Sequence, residues 1–281
     1  MIRWPRHPFL RHPGAVLGLV ILIAIAAMAL FADLIFPCNP WRMMARPNLP
    51  PLSPGYLLGT DMLGRDLAAG IAHGARVTLV IALTVTVIAV SVGVAVGALA
   101  GYFGGWIDDV AMRFTEFFQT VPGFLLTVVI IAIVTPTLTA LVAAMALVSW
   151  PQVARLVRAE VLSLSSRDFI KAARVGGLST PRIIIGQILP NVVSPVIVAA
   201  SLMVATVILI ESGISFLGLG NRDAVTWGFL LGTGRTAFRV NWWLSTIPGF
   251  AIFLTVLSLN LVGDGLNQWL NPRSARGRAL A

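Results

Sequence analysis

The stretch FFQTVPGFLLTVVIIAIVTPTLTALVAAMALVSWPQVA, Phe117 to Ala154, decides the fold. It holds 38 residues without a charged side chain. That is nearly twice the roughly 20 residues a helix needs to cross about 30 Å of hydrocarbon. Thr135-Pro136-Thr137 interrupts it, and a proline inside a helix removes a hydrogen bond and collides with the preceding turn. The stretch therefore predicts two spans, and that choice sets the side on which every later loop lies.

Charge is expensive at the bilayer centre, so the other charge-free intervals mark the remaining spans. They run from His12 to Ala32, Val77 to Ile107, Ile183 to Ile210 and Val240 to Gly263. Six spans with the N-terminus inside place 13 basic residues in the cytoplasm: Arg3, Arg6, Arg11, Arg113, Arg155, Arg158, Arg167, Lys171, Arg174, Arg182, Arg273, Arg276 and Arg278. Seven fall outside: Arg42, Arg46, Arg65, Arg76, Arg222, Arg235 and Arg239. A single span over Phe117 to Ala154 inverts the count, against the tendency of cytoplasmic loops to collect Lys and Arg. The expectation is an all-α, polytopic membrane protein of six transmembrane helices with both termini cytoplasmic.

The composition agrees. Of 281 residues, 57% are hydrophobic and 11% charged, where soluble domains carry about 25% charge. The net charge of +9 is read as a topology signal, not a nucleic-acid footprint, because no basic face stands free of the spans. Cys38 has no partner for an internal disulfide, and His7, His12 and His73 are too scattered for a metal cluster. At the N-terminus a cleaved signal peptide competes with an uncleaved anchor; Ala27-Met28-Ala29 imitates a cleavage site, but the apolar run is long enough to span. The anchor is expected.

Three regions follow. Residues 1–76 form the cytoplasmic N-terminus, the anchor and an external loop stiffened by six prolines: Pro37, Pro40, Pro47, Pro50, Pro51 and Pro54. In that loop Leu58-Gly59-Thr60-Asp61 and Leu63-Gly64-Arg65-Asp66 supply turns and a helix start. Residues 77–270 form a five-helix core with a cytoplasmic loop at 155–190, and residues 271–281 a tail.

The 155–190 loop parses from local chemistry. Ser165, Ser166 and Asp168 are candidate caps for a short helix carrying Phe169, Ile170, Lys171, Ala172, Ala173 and Arg174, ended by Gly176-Gly177. A second helix starts with Thr180 as cap and Pro181 as its first residue and stops before Pro190. Phe169, Ile170 and Ala173 fall on one side at helical spacing, and that stripe fits either the membrane surface or a groove in another protein.

The segment from Lys171 to Gly177, with Leu189-Pro190-Asn191 downstream, resembles the EAA loop of ABC importer permeases, though Lys171 stands where the general motif has Glu and Gln187 where an aliphatic residue is common. Further segments are similar to the dipeptide, oligopeptide and nickel branch: the two turn motifs before span two, Gly101-Tyr102-Phe103-Gly104-Gly105-Trp106 with Asp108 and Met112-Arg113, Glu211 to Gly220, and Asn260 to Leu266 ending near Asn271-Pro272-Arg273. The resemblance implies a type I ABC importer permease fold. It implies a coupling helix at Ser166 to Pro181, with Asp168, Phe169, Ile170, Lys171, Ala172, Ala173, Arg174, Gly177 and Arg182 meeting an ATPase. Implied partners are a second homologous permease in a heterodimer, two ATP-binding subunits, a solute-binding protein and membrane lipid. ATP and Mg²⁺ would sit on the partners, with no cofactor here. ATP-driven closure would push Phe169 to Gly177 and open the pathway outward.

Lys171 is the sole lysine and follows no glycine-rich phosphate loop, so ATP hydrolysis on this chain is not expected. A His-Glu-x-x-His helix and a Gly-x-Ser-x-Gly elbow are absent too, so no enzyme is expected. An ion-driven transporter would show internal repeats around midplane acids, and none is visible. Glu211 is the candidate intramembrane acid, in a packing or gating role, capping backbone near Ser212 and Ser215 or pairing with an outer-loop arginine. Met203, Thr206 and Ser201 are candidate pathway residues against the alternative of lipid or helix contact, and Asp264 reads as a helix-end partner. Peptides, nickel chelates, glutathione and opine-like solutes all fit the pattern.

Overall fold

A computed structural model describes residues 12–270. The flanking arginines of both termini and Asn271-Pro272-Arg273 lie outside the described residues, as does the tail at 271–281. The first helix, α1 (Pro13–Leu30), opens on proline, whose missing N–H needs no partner there. A single turn, α2 (Ala32–Ile35), follows. Arg76 then binds both helices to the next one: its guanidinium donates to the Ala29 and Leu30 carbonyls and to Asp33 at 2.8 Å, and His73 Nε2 lies 3.0 Å from the Phe36 carbonyl.

Residues 36–66 carry no regular element, yet their backbone is knotted together. Asn48 N–H donates to the Asp61 carbonyl, Thr60 N–H to Leu49, and Met44 and Ala45 both to Gly64. Gly59 and Gly64 sit at φ +79° and +78°, and a Cβ on either would run into the Leu49 or Ala45 carbonyl. These positions admit only glycine. Asp61 accepts from the amides of Leu63 and Arg65 and pairs with the buried Arg65 guanidinium at 2.5 Å, which also stacks 5.2 Å above Trp41 and 5.6 Å above Phe229.

Asp66 caps α3 (Leu67–Phe103), accepting from Ala68 N–H at 2.8 Å. This start lies ten residues before the Val77 expected from charge, and the boundary at 76/77 falls inside the helix. Arg76 is neutralised by Asp33 and helix-end carbonyls, so its charge does not mark a helix end. At Gly104 and Gly105, φ +64° and +53°, the chain turns into α4 (Gly105–Gln119) and then α5 (Gly123–Ile133), bent 77° from it. The break at Val134 to Thr137 stands where Pro136 predicts it, and Thr137 caps α6 (Leu138–Ser165).

Helix α6 packs along α3 at backbone distance. Gly93, Gly97 and Gly101, four residues apart, leave room for Val153, Val157 and Val161, and a Cβ at Gly93 would lie 2.5 Å from Val153 Cβ. Small residues are how helices in lipid approach closely. Then come α7 (Asp168–Val175) and α8 (Thr180–Ile183), a π-helical turn at Ile184–Ile188, and α9 (Leu189–Phe216). The second loop helix therefore does not stop before Pro190. The widened turn delivers Pro190 to the second position of α9, where its missing N–H is tolerated, and Asn191 Nδ2 donates to the Gln187 carbonyl at 2.6 Å. The cap is also one residue earlier than expected, at Ser179, with Thr180 and Pro181 inside.

A short α10 (Trp227–Gly234) and α11 (Trp243–Leu270) complete the chain. Five segments are long and apolar enough to cross a membrane: α1, α3, α6, the run Thr180–Phe216, and α11. The bent pair α4–α5 makes the sixth as one broken span. The third span thus differs from its expected form, since half of it is the charged, amphipathic α4.

Candidate functional site

Only Ser166 and Arg167 separate α6 from α7. None of the expected caps acts on α7. Arg167 holds the cap position without a side-chain bond, Asp168 is already the first helical residue, and Ser166 Oγ donates back to the Ser163 carbonyl. Asp168 nevertheless suits the positive end of the helix dipole, and Arg174 the negative end. The Lys171–Asp168 pair, 3.6 Å apart with both side chains exposed, contributes little. The glycine pair does end the helix. Leu178 N–H reaches the Ala173 carbonyl and Gly177 N–H the Arg174 carbonyl, with Gly177 at φ +78°.

The faces of α7 divide the expected stripe. Ile170 is fully buried and Ala173 nearly so, packed against the body of this chain, while Phe169 sits half-exposed at the rim. The outward face carries Asp168, Lys171, Ala172 and Val175, and Val175 is 90% exposed. At 100° per residue these four lie together, opposite Ile170 and Ala173. The more apolar side of the helix belongs to the protein's own core, and Val175 had no sequence signal beyond its place before the glycines. Gly177, just after α7, and Arg182, in α8, are exposed.

Three contacts seat this end of the bundle. Arg174 lies 4.9 Å above the ring of Tyr102, the penultimate residue of α3. Arg155 Nη1 donates to Gln119 Oε1 at 2.6 Å, at the end of α4. Arg158 grips Asp108 with both prongs of its fork, Nε to Oδ1 and Nη2 to Oδ2, the latter at 2.5 Å. Sequence reasoning missed that last pair. Its signal was an arginine two turns inside an apolar helix, which needs a partner.

At the opposite end, Glu211 is buried between α9 and α10. Its Oε1 accepts from Ser215 Oγ at 2.9 Å and from Thr226 Oγ1 at 2.8 Å, while Thr226 Oγ1 accepts from Phe229 N–H and so caps α10. Glu211 pairs with hydroxyls, not with an arginine. Gly228 brings α10 against it: a Cβ there would lie 2.8 Å from Glu211 Oε2. Trp227 fixes α10 to α3 through its amide to Thr78 Oγ1 and its indole to the Ile71 carbonyl. Beside this contact lies a cavity of about 290 Å³ lined by Ser215, Phe216, Asn221, Arg222, Thr233 and Arg235.

Met203 and Thr206 come together with Gln152, Val153 and Leu202 in a groove of about 180 Å³ between α6 and α9. Ser201 turns away: Gly263 of α11 comes so close that a Cβ there would lie 2.9 Å from Ser201 Oγ. Asp264 is exposed on α11. Among the described residues no group of three or more His, Cys, Asp or Glu is placed to hold a metal ion.

Comparison with known proteins matches two family descriptions. Residues 93–276 match the binding-protein-dependent transport system inner membrane component, and residues 6–51 match the N-terminal transmembrane domain of oligopeptide transport permease C. The oligopeptide transport system permease protein OppC of Escherichia coli (strain K12) is 37% identical over 95% of this chain and 90% of its own length. The di/tripeptide transport system permease protein DppC of Pseudomonas aeruginosa (strain UCBPP-PA14) is 38% identical over 94% and 90%. The dipeptide transport system permease protein DppC of Escherichia coli (strain K12) is 38% identical over 95% and 91%.

Proposed function

The chain belongs to the family of binding-protein-dependent transport system inner membrane components, and from that premise we propose that force from a separate ATPase enters it through the outward face of α7. It is an inner-membrane permease subunit of a peptide ABC importer, working with ATPase and solute-binding partners. The finer reading is that it pairs with a second, homologous permease, carries neither catalysis nor cofactor of its own, and leaves ATP and Mg²⁺ to the partners. Di- and oligopeptides are the favoured cargo, with nickel chelates or another small solute as the alternative. The α7 end faces the cytoplasm along with both termini, as the distribution of basic residues favours.

One observation carries the reading. An eight-residue helix hangs between two spans, anchored by Ile170 and Ala173, and presents a 90% exposed Val175 between Lys171 and Asp168, with Ala172 on the far side of Asp168. Small and apolar side chains alternating with charge across one exposed face suit a groove in a partner protein. Phe169 and Arg174 frame this face, and Gly177 and Arg182 lie beyond it.

Val175→Asp tests the reading, since it places a charge in the contact without touching the core. In proteoliposomes holding the whole complex, peptide uptake and the stimulation of ATP hydrolysis by the binding protein should both fall sharply. Unchanged uptake and stimulation would remove α7 from the coupling path. Uptake that collapsed with the proton gradient at constant ATP would favour an ion-driven carrier instead.

A further inference from the structure

We propose that the Asp108–Arg158 pair is a positioning strut that carries the displacement of α7 into α4 and α5, a role resting on the reading of α7 above. Arg158 stands two turns before the end of α6, and α6 passes into α7 across two residues. A movement of α7 that is passed along α6 therefore reaches Arg158 within two turns.

Helix α4 is packed against both α3 and α6, and its directional side-chain bonds come from α6. It leaves α3 through Gly104 and Gly105, both in left-handed backbone, and a Cβ on either would meet nothing within 4 Å. These glycines serve the backbone's turn and not the fit of a neighbouring side chain. The side-chain contacts that direct α4 come from α6: the two-pronged Arg158–Asp108 grip, the Arg155–Gln119 bond, and the rings of Phe114 and Phe118 against Trp150 at 6.0 and 5.8 Å. A forked guanidinium holds a carboxylate in direction as well as distance, which an aromatic contact does not. The pair is largely shielded from water, Asp108 at 12% and Arg158 at 33% side-chain exposure.

The backbone of Arg158 is also wedged against α3. A Cβ on Gly97 would lie 3.0 Å from its amide nitrogen, and one on Gly101 2.8 Å from its carbonyl oxygen. One residue thus joins three helices: its backbone bears on α3, it belongs to α6, and its side chain holds α4. Because α4 continues into α5 with a 77° bend, a shift of Arg158 swings the whole broken span.

The test uses the complete complex in proteoliposomes with its binding protein, reading peptide taken up per ATP hydrolysed. A purely structural role would alter how much complex assembles and leave that ratio alone. Arg158→Gln should lower the ratio roughly tenfold, within the range of couplings between sites. Arg158→Lys, which keeps the charge but loses the fork, should fall between, and the exchange Asp108→Arg with Arg158→Asp should recover most of the loss. If Arg158→Gln does not assemble, Arg158→Lys is read in its place. An unchanged ratio overturns the proposal, and so does failure of every variant to assemble, which makes the pair a folding element only. Val175→Asp separates the two readings. If it uncouples while Arg158→Gln does not, the strut alone is wrong; if it too leaves coupling intact, the reading of α7 falls first.

Discussion

Gly97→Ala is the smallest change that probes the approach of α3 to α6. The added methyl would meet the Ala154 carbonyl oxygen, Val157 Cβ at 2.9 Å and the Arg158 amide nitrogen at 3.0 Å. Two of those three atoms are backbone, so no rotamer change relieves the overlap and α6 itself must shift. Overpacking of this kind costs about 1–3 kcal/mol. Alanine returns about 1 kcal/mol through helix propensity. The net expectation is up to about 2 kcal/mol of destabilisation. Gly249→Ala, in α11, provides the opposite case. Its methyl would find only Leu231 Cδ1, at an ordinary 3.8 Å, so the propensity gain stands alone. Circular dichroism of the purified protein in detergent measures both. At about 2–4 °C per kcal/mol the melting midpoint should fall by several degrees for Gly97→Ala and rise by about 2–4 °C for Gly249→Ala. A rise for Gly97→Ala equal to that for Gly249→Ala would refute the argument, since α3 and α6 would then have room for a side chain between them.

Two further outcomes follow from local geometry. Thr226→Val keeps the shape of the side chain but removes the donor to Glu211 and the cap acceptor for Phe229, and should cost about 2–4 kcal/mol by the same melting assay. Gly64→Ala, at φ +78° and against the Ala45 carbonyl, should destabilise the 36–66 segment by at least about 1 kcal/mol, read as faster proteolysis there in the folded protein.

The spans were legible because charge and proline speak the language of the bilayer, and the break at Pro136 is the plainest case. Their ends were less legible. Arg76 mimicked a boundary that tertiary pairing with Asp33 abolishes, and Pro190 mimicked a stop that a π-helical turn absorbs. Glycines with a turn to make, such as Gly59, Gly64 and Gly177, announced themselves, whereas the stripe Gly93, Gly97 and Gly101 acquires meaning only once α6 lies against it. At α7, amphipathicity located the helix but could not say which face the protein keeps for itself. Ile170 and Ala173 went inward and left Val175 outside. The Asp108–Arg158 grip spans fifty positions, and distance along the chain hid it.

The run from Thr180 to Phe216 holds 37 residues in continuous helical form, about 55 Å from end to end against about 30 Å of hydrocarbon. One end adjoins the joint after α7, and the other supplies Ser215 and Phe216 to the cavity beside α10. Pivoting a rod of that length by 10° about its centre carries each tip about 5 Å in opposite directions. A run that exceeds the hydrocarbon thickness by about 25 Å has length to spare at the membrane surfaces, and if it moved as such a lever a small push at one surface would be returned as a comparable displacement at the other without any change of secondary structure between them.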